Sequence, residues 1–211
     1  MGHKRSTSAK CRPAELSIQI SQPLTRCPGD PYASTMPMRV ADFMAILRDR
    51  TVELLPEELR EGMNARVRFV WLQVHYHSPR VHYEVWLTRK TGRIEIGLHF
   101  EGPREFSYRW LELMAGHIPE IMDGLGPDFE FEEWTPSWTR IHQTVPYDPV
   151  SEQLADEVAG RLARLIGVLQ PIVEMERENI PPELERIQEP PTKGGRPRFR
   201  RGSVAHHGSG P

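Results

Sequence analysis

The sequence has few of the features that mark a secreted, membrane-spanning or disulfide-stabilised protein. Its 211 residues include two cysteines, Cys11 and Cys27, which argues against a disulfide framework and fits a reducing compartment. No apolar run approaches the ~20 residues of a membrane-spanning helix. The charged N-terminus MGHKRSTSAK is not followed by the apolar segment of a secretion signal. We therefore expect a cytoplasmic protein with no membrane partner.

A dominant charge and the common catalytic motifs are also missing. Lys and Arg number 27 against 29 Asp and Glu, so the formal net charge is -2 and only a local patch can attract nucleic acid. The GxSxG turn, the GxGxxG and Walker phosphate loops, HExxH and CxxC do not occur. These absences count against acyl transfer and nucleotide hydrolysis, and no cofactor is expected.

The composition predicts one domain between two disordered tails. A hydrophobic content of 38% is enough for one core but low for filling the entire length. Residues 1–37 are rich in Ser, Thr, Pro, Arg and Gly without a sustained period, which predicts a disordered leader. Met36 and Met38 precede the first helical pattern and leave a later translation start open. Residues 179–211 combine Pro, Gly and basic residues, which predicts a disordered tail.

Apolar periodicity predicts a single α+β domain over residues 38–178, in the order helix, three strands, helix, two strands, helix. Helical spacing begins at Val40, and a short helical turn lies between Pro56 and Gly62. The helix after Gly102-Pro103 is expected to kink at Pro119. Pro149 opens a long final helix, which Ser151 caps.

Alternation of period two predicts five strands between these helices, at residues 66–77, 80–89, 93–101, 129–134 and 138–144. Short turn sequences separate most of them, which favours a mostly antiparallel sheet. We expect the helices to pack on one face of this sheet. That face is lined by Val74, Val85, Leu98 and Phe131.

Two turns predict the same strand phase independently. If Thr91-Gly92 is a two-residue turn, Leu87 lies opposite Ile96, Val85 opposite Leu98, and Tyr83 opposite Phe100. Closing the hairpin at Ser78-Pro79 places Val74 opposite Tyr83 and Leu72 opposite Val85, on the same apolar face. The other face then carries three predicted rows, which are His75, His82 and Glu101; Gln73, Glu84 and His99; and Trp71, Trp86 and Gly97.

The last two strands add acid–base pairs to this polar face, with Glu132 opposite Arg140, Glu130 opposite His142, and Trp134 opposite Trp138. One interpretation is a solvated sheet with ordinary cross-strand pairs. A second is a binding platform for a partner or a base, formed by Trp71, Trp86, Trp134, Trp138, Glu84 and Arg140. A third is a divalent metal site formed by His75, His82, His99 and Glu101, since imidazole and carboxylate are usual zinc or iron ligands.

The C-terminal tail carries a separate signal. Around Gly195-Arg196-Pro197 lie five basic residues, Lys193, Arg196, Arg198, Arg200 and Arg201. The stretch resembles the core of an AT-hook, in which an extended Gly-Arg-Pro segment lies in the minor groove of A·T-rich DNA. It predicts a nucleic-acid-binding tail, and the alternative is a basic tail that only keeps the chain in solution.

The succession HYEVWLTRKTGRIEIGLHF, FEFEEW, WTRIHQ and RLARLIGVLQPIV, over residues 82–174, resembles a bacterial domain of unknown function. That domain forms the C-terminal part of endonuclease-associated proteins. The resemblance implies an accessory module with no catalytic residues to transfer. The order of elements is also similar to the secretion-chaperone-like fold, which implies a dimer that binds peptides.

These observations lead to three expectations for function. The first is a non-enzymatic interaction module, either a homodimer or a partner-binding accessory protein. The second is a nucleic-acid-binding accessory protein that uses the basic tail. The third is a metal-dependent enzyme whose site lies among the histidines and glutamates of the sheet.

Overall fold

A six-stranded antiparallel sheet with helices on one side makes up the folded part of the chain. The computed structural model describes residues 38–147 and 149–186, all within one compact unit. The strands are β1 Asn64–Arg68, β2 Trp71–His75, β3 Val81–Thr88, β4 Arg93–Phe100, β5 Glu130–Glu133 and β6 Thr139–Pro146. The helices are α1 Val40–Leu54, α2 Glu57–Arg60, α3 Arg104–Ala115, α4 Ile118–Leu125, α5 Glu152–Arg177 and α6 Pro182–Arg186. The strand order across the sheet is β1-β2-β3-β4-β6-β5.

The mixed α+β class and the antiparallel sheet are confirmed, but the prediction of five strands is wrong. The predicted strand 66–77 folds back on itself as the hairpin of β1 and β2, in which Arg68 pairs with Trp71. Phe69, in the two-residue turn, has a φ of 44°. Tight hairpins need such positive φ values and usually place Gly, Asn or Asp there. The sequence therefore carries no turn signal at this point.

Two helical segments also differ from the predictions. The expected kinked helix is two helices, α3 and α4, and Pro119 lies in the first turn of α4 rather than inside a longer helix. This position suits proline, because the first-turn N–H groups have no partner within the helix. The short helix α6 lies in the segment predicted to be a disordered tail, and Ile180 before it is buried. Ser151 caps α5 as expected, accepting a hydrogen bond from Leu154 N at 3.2 Å.

The helices pack on the face that carries the apolar side chains of the sheet. Tyr83 donates a hydrogen bond to Gln170 Oε1 of α5 at 3.0 Å, and the ring of Phe100 stacks on Trp110 of α3 with centroids 5.6 Å apart. Val85 and Leu98 are fully buried among these contacts. The predicted strand phase is confirmed.

The predicted register of the β3–β4 hairpin is wrong by two residues. Val85 pairs with Ile96 and Tyr83 with Leu98, because the turn contains residues 89–92 and not Thr91-Gly92 alone. A shift of two leaves every side chain on its predicted face, since the side-chain period is also two. The predicted pairs of the β2–β3 and β5–β6 hairpins are confirmed.

In the described residues, no helix is both long enough and apolar enough to cross a lipid bilayer.

Candidate metal centre

The central part of the sheet's polar face, on β3, β4 and β6, is buried. The side chains of His82, Glu84, Glu95, His99, Arg140 and His142 are all buried. This overturns the interpretation of the face as a wet surface with ordinary cross-strand pairs. It also removes Glu84 and Arg140 from the predicted binding platform, since neither side chain is accessible to a partner.

Tryptophans from the end of the β5–β6 hairpin cover this network. The indole of Trp134 meets the His99 ring edge to face, with centroids 5.1 Å apart, and lies 6.4 Å from Trp86 and 5.8 Å from Trp138. The guanidinium of Arg140 lies 5.1 Å from the centroid of the Trp134 ring. These half-buried indoles contact one another and the network beneath them, which explains their position without a bound partner.

The shifted register brings two histidines together. His82 and His99 are direct partners across β3 and β4, and their rings stack with centroids 5.4 Å apart. In the predicted register, His82 lay beside Glu101 and His99 beside Glu84. The structure instead gives a pair of buried imidazoles, with Glu101 at the end of β4 completing a triangle.

His82 is held in one orientation by its surroundings. Its Nδ1 lies 2.9 Å from the carbonyl oxygen of Pro79, which can only accept a hydrogen bond, so Nδ1 carries the proton. In the neutral ring, Nε2 therefore carries the lone pair. The amide nitrogen of Gln73 donates to this lone pair at 3.1 Å and to Glu84 Oε2 at 2.8 Å.

His99 is fully buried and surrounded by carboxylates. Its Nε2 lies 3.0 Å from Glu95 Oε1, and its Nδ1 lies 3.7 Å from Glu101 Oε1. Within the described residues, neither ring nitrogen has a hydrogen-bond partner in acceptable geometry, so these contacts are electrostatic. Burial lowers the pKa of His99, but Glu101, Glu95 and Glu84 outweigh it and raise the pKa to about 9.

The charges of the network do not balance if both imidazoles are neutral. Arg140 reaches Glu95 Oε2 at 2.7 Å and Glu132 Oε2 at 2.6 Å. One guanidinium thus serves two carboxylates, while Glu84 and Glu101 lie on the other side of His99. Buried charge is costly unless it is paired. The site therefore favours additional positive charge beside His99, either a proton or a metal cation.

Three groups are placed to bind such a cation. His82, His99 and Glu101 each offer a ligand atom, and these atoms all lie within 4.8 Å of one another. His82 Nε2 is 4.0 Å from Glu101 Oε1. Ligand atoms around tetrahedral zinc lie about 3.4 Å apart, given bond lengths of ~2.1 Å. These separations would have to shorten by roughly 0.3 to 1.4 Å to reach that spacing.

The structure brings together three of the four predicted metal ligands. His82, His99 and Glu101 come together, whereas His75 does not belong to the group. Sequence reasoning did not name Glu95, which lies four residues before His99 on the same face of β4. The tail residues Lys193, Arg196, Arg198, Arg200 and Arg201, the two cysteines and most of the predicted tails lie outside the described residues.

A cavity of about 310 Å³ lies on the helical side, between the β2–β3 turn, α3, α5 and α6. Several of its polar side chains already have partners. His77 Nε2 lies 2.8 Å from Glu174, Tyr76 donates to Leu59 O, and Arg80 donates to Glu185 O. Trp110 Nε1 in its lining is buried without a hydrogen-bond partner among the described residues, but an indole N–H is only a donor and cannot bind a cation.

Comparison of the chain with protein-family models, curated proteins and solved structures finds no match. The resemblances expected from residues 82–174 stay predictions.

Proposed function

We propose that this protein binds a divalent transition-metal ion through His82 Nε2, His99 Nδ1 and the carboxylate of Glu101. The observation that supports the proposal is the convergence of two buried imidazoles on one carboxylate, with both nitrogens of His99 lacking hydrogen-bond partners in the described chain. Two imidazoles and one carboxylate are a ligand set suited to zinc or iron.

The surroundings of the ligands support metal binding in two further ways. The hydrogen bond from His82 Nδ1 to Pro79 O fixes the tautomer that leaves Nε2 free to bind, which is the usual outer-shell arrangement of a metal-bound histidine. The amide of Gln73 would have to turn away from Nε2. The excess of buried carboxylate charge around His99 favours a dication.

Access to the site is from the side of Glu101. The side chain of Glu101 is 23% exposed, whereas His82 and His99 are covered by the sheet and by Trp134. Three protein ligands leave a fourth position for water or a small molecule, an arrangement typical of catalytic zinc. A metal ion held by these three ligands would supply Lewis acidity and would lower the pKa of a bound water enough to deprotonate it near neutral pH.

The partner-binding interpretation has less support. Trp86, Trp134 and Trp138 contact one another over the buried network. Using them to contact a partner requires opening this cover and exposing the charges beneath it. We therefore rank metal binding above the interaction module.

Isothermal titration with zinc tests the proposal. The unaltered chain should bind one equivalent, and Co²⁺ should give the intense absorption of a tetrahedral site. His82→Gln and Glu101→Gln should weaken binding by more than the roughly 10- to 100-fold that loss of an outer-shell partner causes. His75→Gln is the matched control, because His75 lies on the same face outside the group.

Circular dichroism of each variant separates loss of a ligand from loss of the fold. Glu101→Gln is the most informative substitution, since its partly exposed side chain is the least important for packing. Absence of zinc binding by the unaltered chain would overturn the proposal. So would equal affinity in His82→Gln, Glu101→Gln and His75→Gln.

A further inference from the structure

An exposed aromatic ring stands out at one end of the sheet. Phe69, in the β1–β2 turn, is 88% exposed, and its φ of 44° is unusual for a residue other than glycine. Because the ring is exposed, it adds no buried apolar area to the core. Residues held in strained backbone conformations cluster at functional sites.

Basic residues surround this ring, and exposed acids are missing from the same stretch. Between Asn64 and Ile94 the chain has six Lys or Arg residues, and its one acid, Glu84, is buried. The exposed basic residues are Arg66, Arg68, Arg89, Lys90 and Arg93. Over residues 38–147 and 149–186, none of Arg66, Arg68, Arg89 and Lys90 forms an ion pair, so their charge is available.

The topology gathers these residues at one end of the sheet. The β1–β2 and β3–β4 turns lie at the same end, because β1 and β3 run in the same direction on either side of β2. Leu87 N donates to Val70 O at 2.8 Å, which ties the two hairpins together there. The turn that carries Phe69 thus lies beside the one that carries Arg89 and Lys90.

Strand phase adds two indoles to this surface. Arg68 pairs with Trp71, and Trp71 pairs with Trp86. All three residues alternate with core residues such as Leu72 and therefore lie on the polar face. Arg66 lies on the same face, two residues before Arg68. Guanidinium groups and partly exposed rings thus adjoin along β1 and β2.

We infer that this end of the sheet, formed by Arg66, Arg68, Phe69, Trp71, Arg89 and Lys90, binds single-stranded nucleic acid. Lys and Arg side chains contact the phosphates, and Phe69 stacks on an unpaired base. An acidic peptide would match the charge but has no need of a protruding ring. A duplex keeps its bases stacked and offers no face to Phe69.

The surface is independent of the other proposals. It lies on strands β1 and β2 and the β3–β4 turn, away from His99 near the end of β4 and Glu101 just after that strand. It is also separate in sequence from the basic tail at residues 193–201. Nucleic-acid binding measured with a chelator present therefore succeeds or fails without reference to the metal centre.

Fluorescence anisotropy with labelled oligo(dT) of about twelve nucleotides tests the inference on the full chain. Phe69→Ala should weaken binding by about ten-fold, the loss of one stacked base. The double variant Arg66→Gln, Arg68→Gln should weaken it and reduce the slope of log affinity against log salt by about 1 to 2. The unaltered chain should prefer the single strand to a duplex of equal length.

Two controls keep the test specific. Leu54→Ala removes another exposed apolar side chain, and Arg48→Gln removes a positive charge, both from α1; neither should change binding. A variant with the five basic tail residues replaced by Gln measures how much the tail contributes to nucleic-acid binding. The inference is overturned if the unaltered chain does not bind, if Phe69→Ala binds equally well, or if only the tail variant loses binding.

Discussion

His82 and His99 lie directly opposite each other on β3 and β4, with their ring planes 24° apart, and the His99 ring meets Trp134 edge to face. Positive charge on two imidazoles this close together is stable only if nearby carboxylates compensate it. Glu95 and Glu101 provide these on either side of His99. The carboxylates around the pair therefore favour positive charge on this buried face.

Arg140 should be essential for the stability of the network. Arg140→Met leaves Glu95 and Glu132 without their guanidinium, and breaking a buried ion pair on one side typically costs about 3 to 5 kcal/mol. Urea unfolding of the variant measures the loss. Glu132→Gln removes only the more exposed of the two carboxylates paired with Arg140, so it should lower the free energy of unfolding by under ~1 kcal/mol. Equal losses in the two variants would contradict the assigned role of Arg140.

Gly97 should not tolerate a side chain. A Cβ at this position would lie 2.7 Å from His142 Cβ and 3.0 Å from the backbone oxygen of Ile141. Gly97→Ala should therefore lower the free energy of unfolding by about 2 to 3 kcal/mol, since β6 backbone has to move.

Gly160→Ala is the matched control for that substitution. Gly160 lies inside α5, and a Cβ there would meet no atom within 4 Å. Because alanine favours the helix, this variant should be more stable by about 0.5 to 1 kcal/mol. Denaturant titration of both variants should give opposite signs, and two destabilised variants would contradict the packing described for α5.

A pH-dependent ion pair joins α4 to α5. His117 Nε2 lies 2.7 Å from Glu176 Oε1. The hydrogen bond with Glu176 raises the pKa of His117 above its ordinary 6.5, with a further contribution from Glu120. Hydrogen bonds from His117 and Asn179 lower the pKa of Glu176 below its ordinary 4.5.

The stabilisation should be largest at mildly acidic pH. Because its pKa is raised, His117 contributes its full stabilisation below pH 6.5 and loses it as the pH rises through its folded-state pKa. Because its pKa is lowered, Glu176 contributes its full stabilisation above pH 4.5 and loses it as the pH falls through its folded-state pKa. Both contributions are present between these two values.

Glu176→Gln should therefore destabilise the protein by up to ~1 kcal/mol near pH 5.5 and by less near pH 9. Urea unfolding at the two pH values measures the difference. Glu178→Gln, an exposed neighbour, should show little change at either pH. A deficit of Glu176→Gln that is the same at both values would exclude the ion pair as its cause.

Phe69→Gly should stabilise the fold while it removes the exposed ring. A positive φ costs a non-glycine residue roughly 1 to 2 kcal/mol, and the added chain entropy of glycine offsets about half of this. The expected gain is about 0.5 kcal/mol. Thermal unfolding measures it, and Val70→Gly, at the neighbouring position, should be destabilised instead. A less stable Phe69→Gly variant would show that the ring supports the fold.

Much of the architecture follows from local sequence patterns. The alternation in β3 and β4 correctly predicted that Val85 and Leu98 face the core and that His82 and His99 lie on the other face. An error of two residues in the register did not change these assignments. Ser151 at the start of α5 was recognisable from its capping chemistry. The β1–β2 turn was not, because Phe69 gives no local signal for a positive φ.

The candidate site required information that strand phase cannot supply. Register depends on the number of residues in the turn, and the four residues 89–92 placed His99 directly opposite His82. The burial of the polar face depends on the long-range contact of Trp134 with His99. Neither Trp134 nor Trp138 shows in the sequence that it covers charged groups on distant strands.

The sequence by itself determined the two faces of the sheet and the broad succession of helical and strand regions, since these follow from side-chain periodicity and from proline, glycine and capping residues that act over a few positions. The tertiary structure alone decided that the histidines meet and that their carboxylates are buried. The physical reason is that turn length and the packing of indoles over β3 and β4 depend on contacts between residues far apart in the chain.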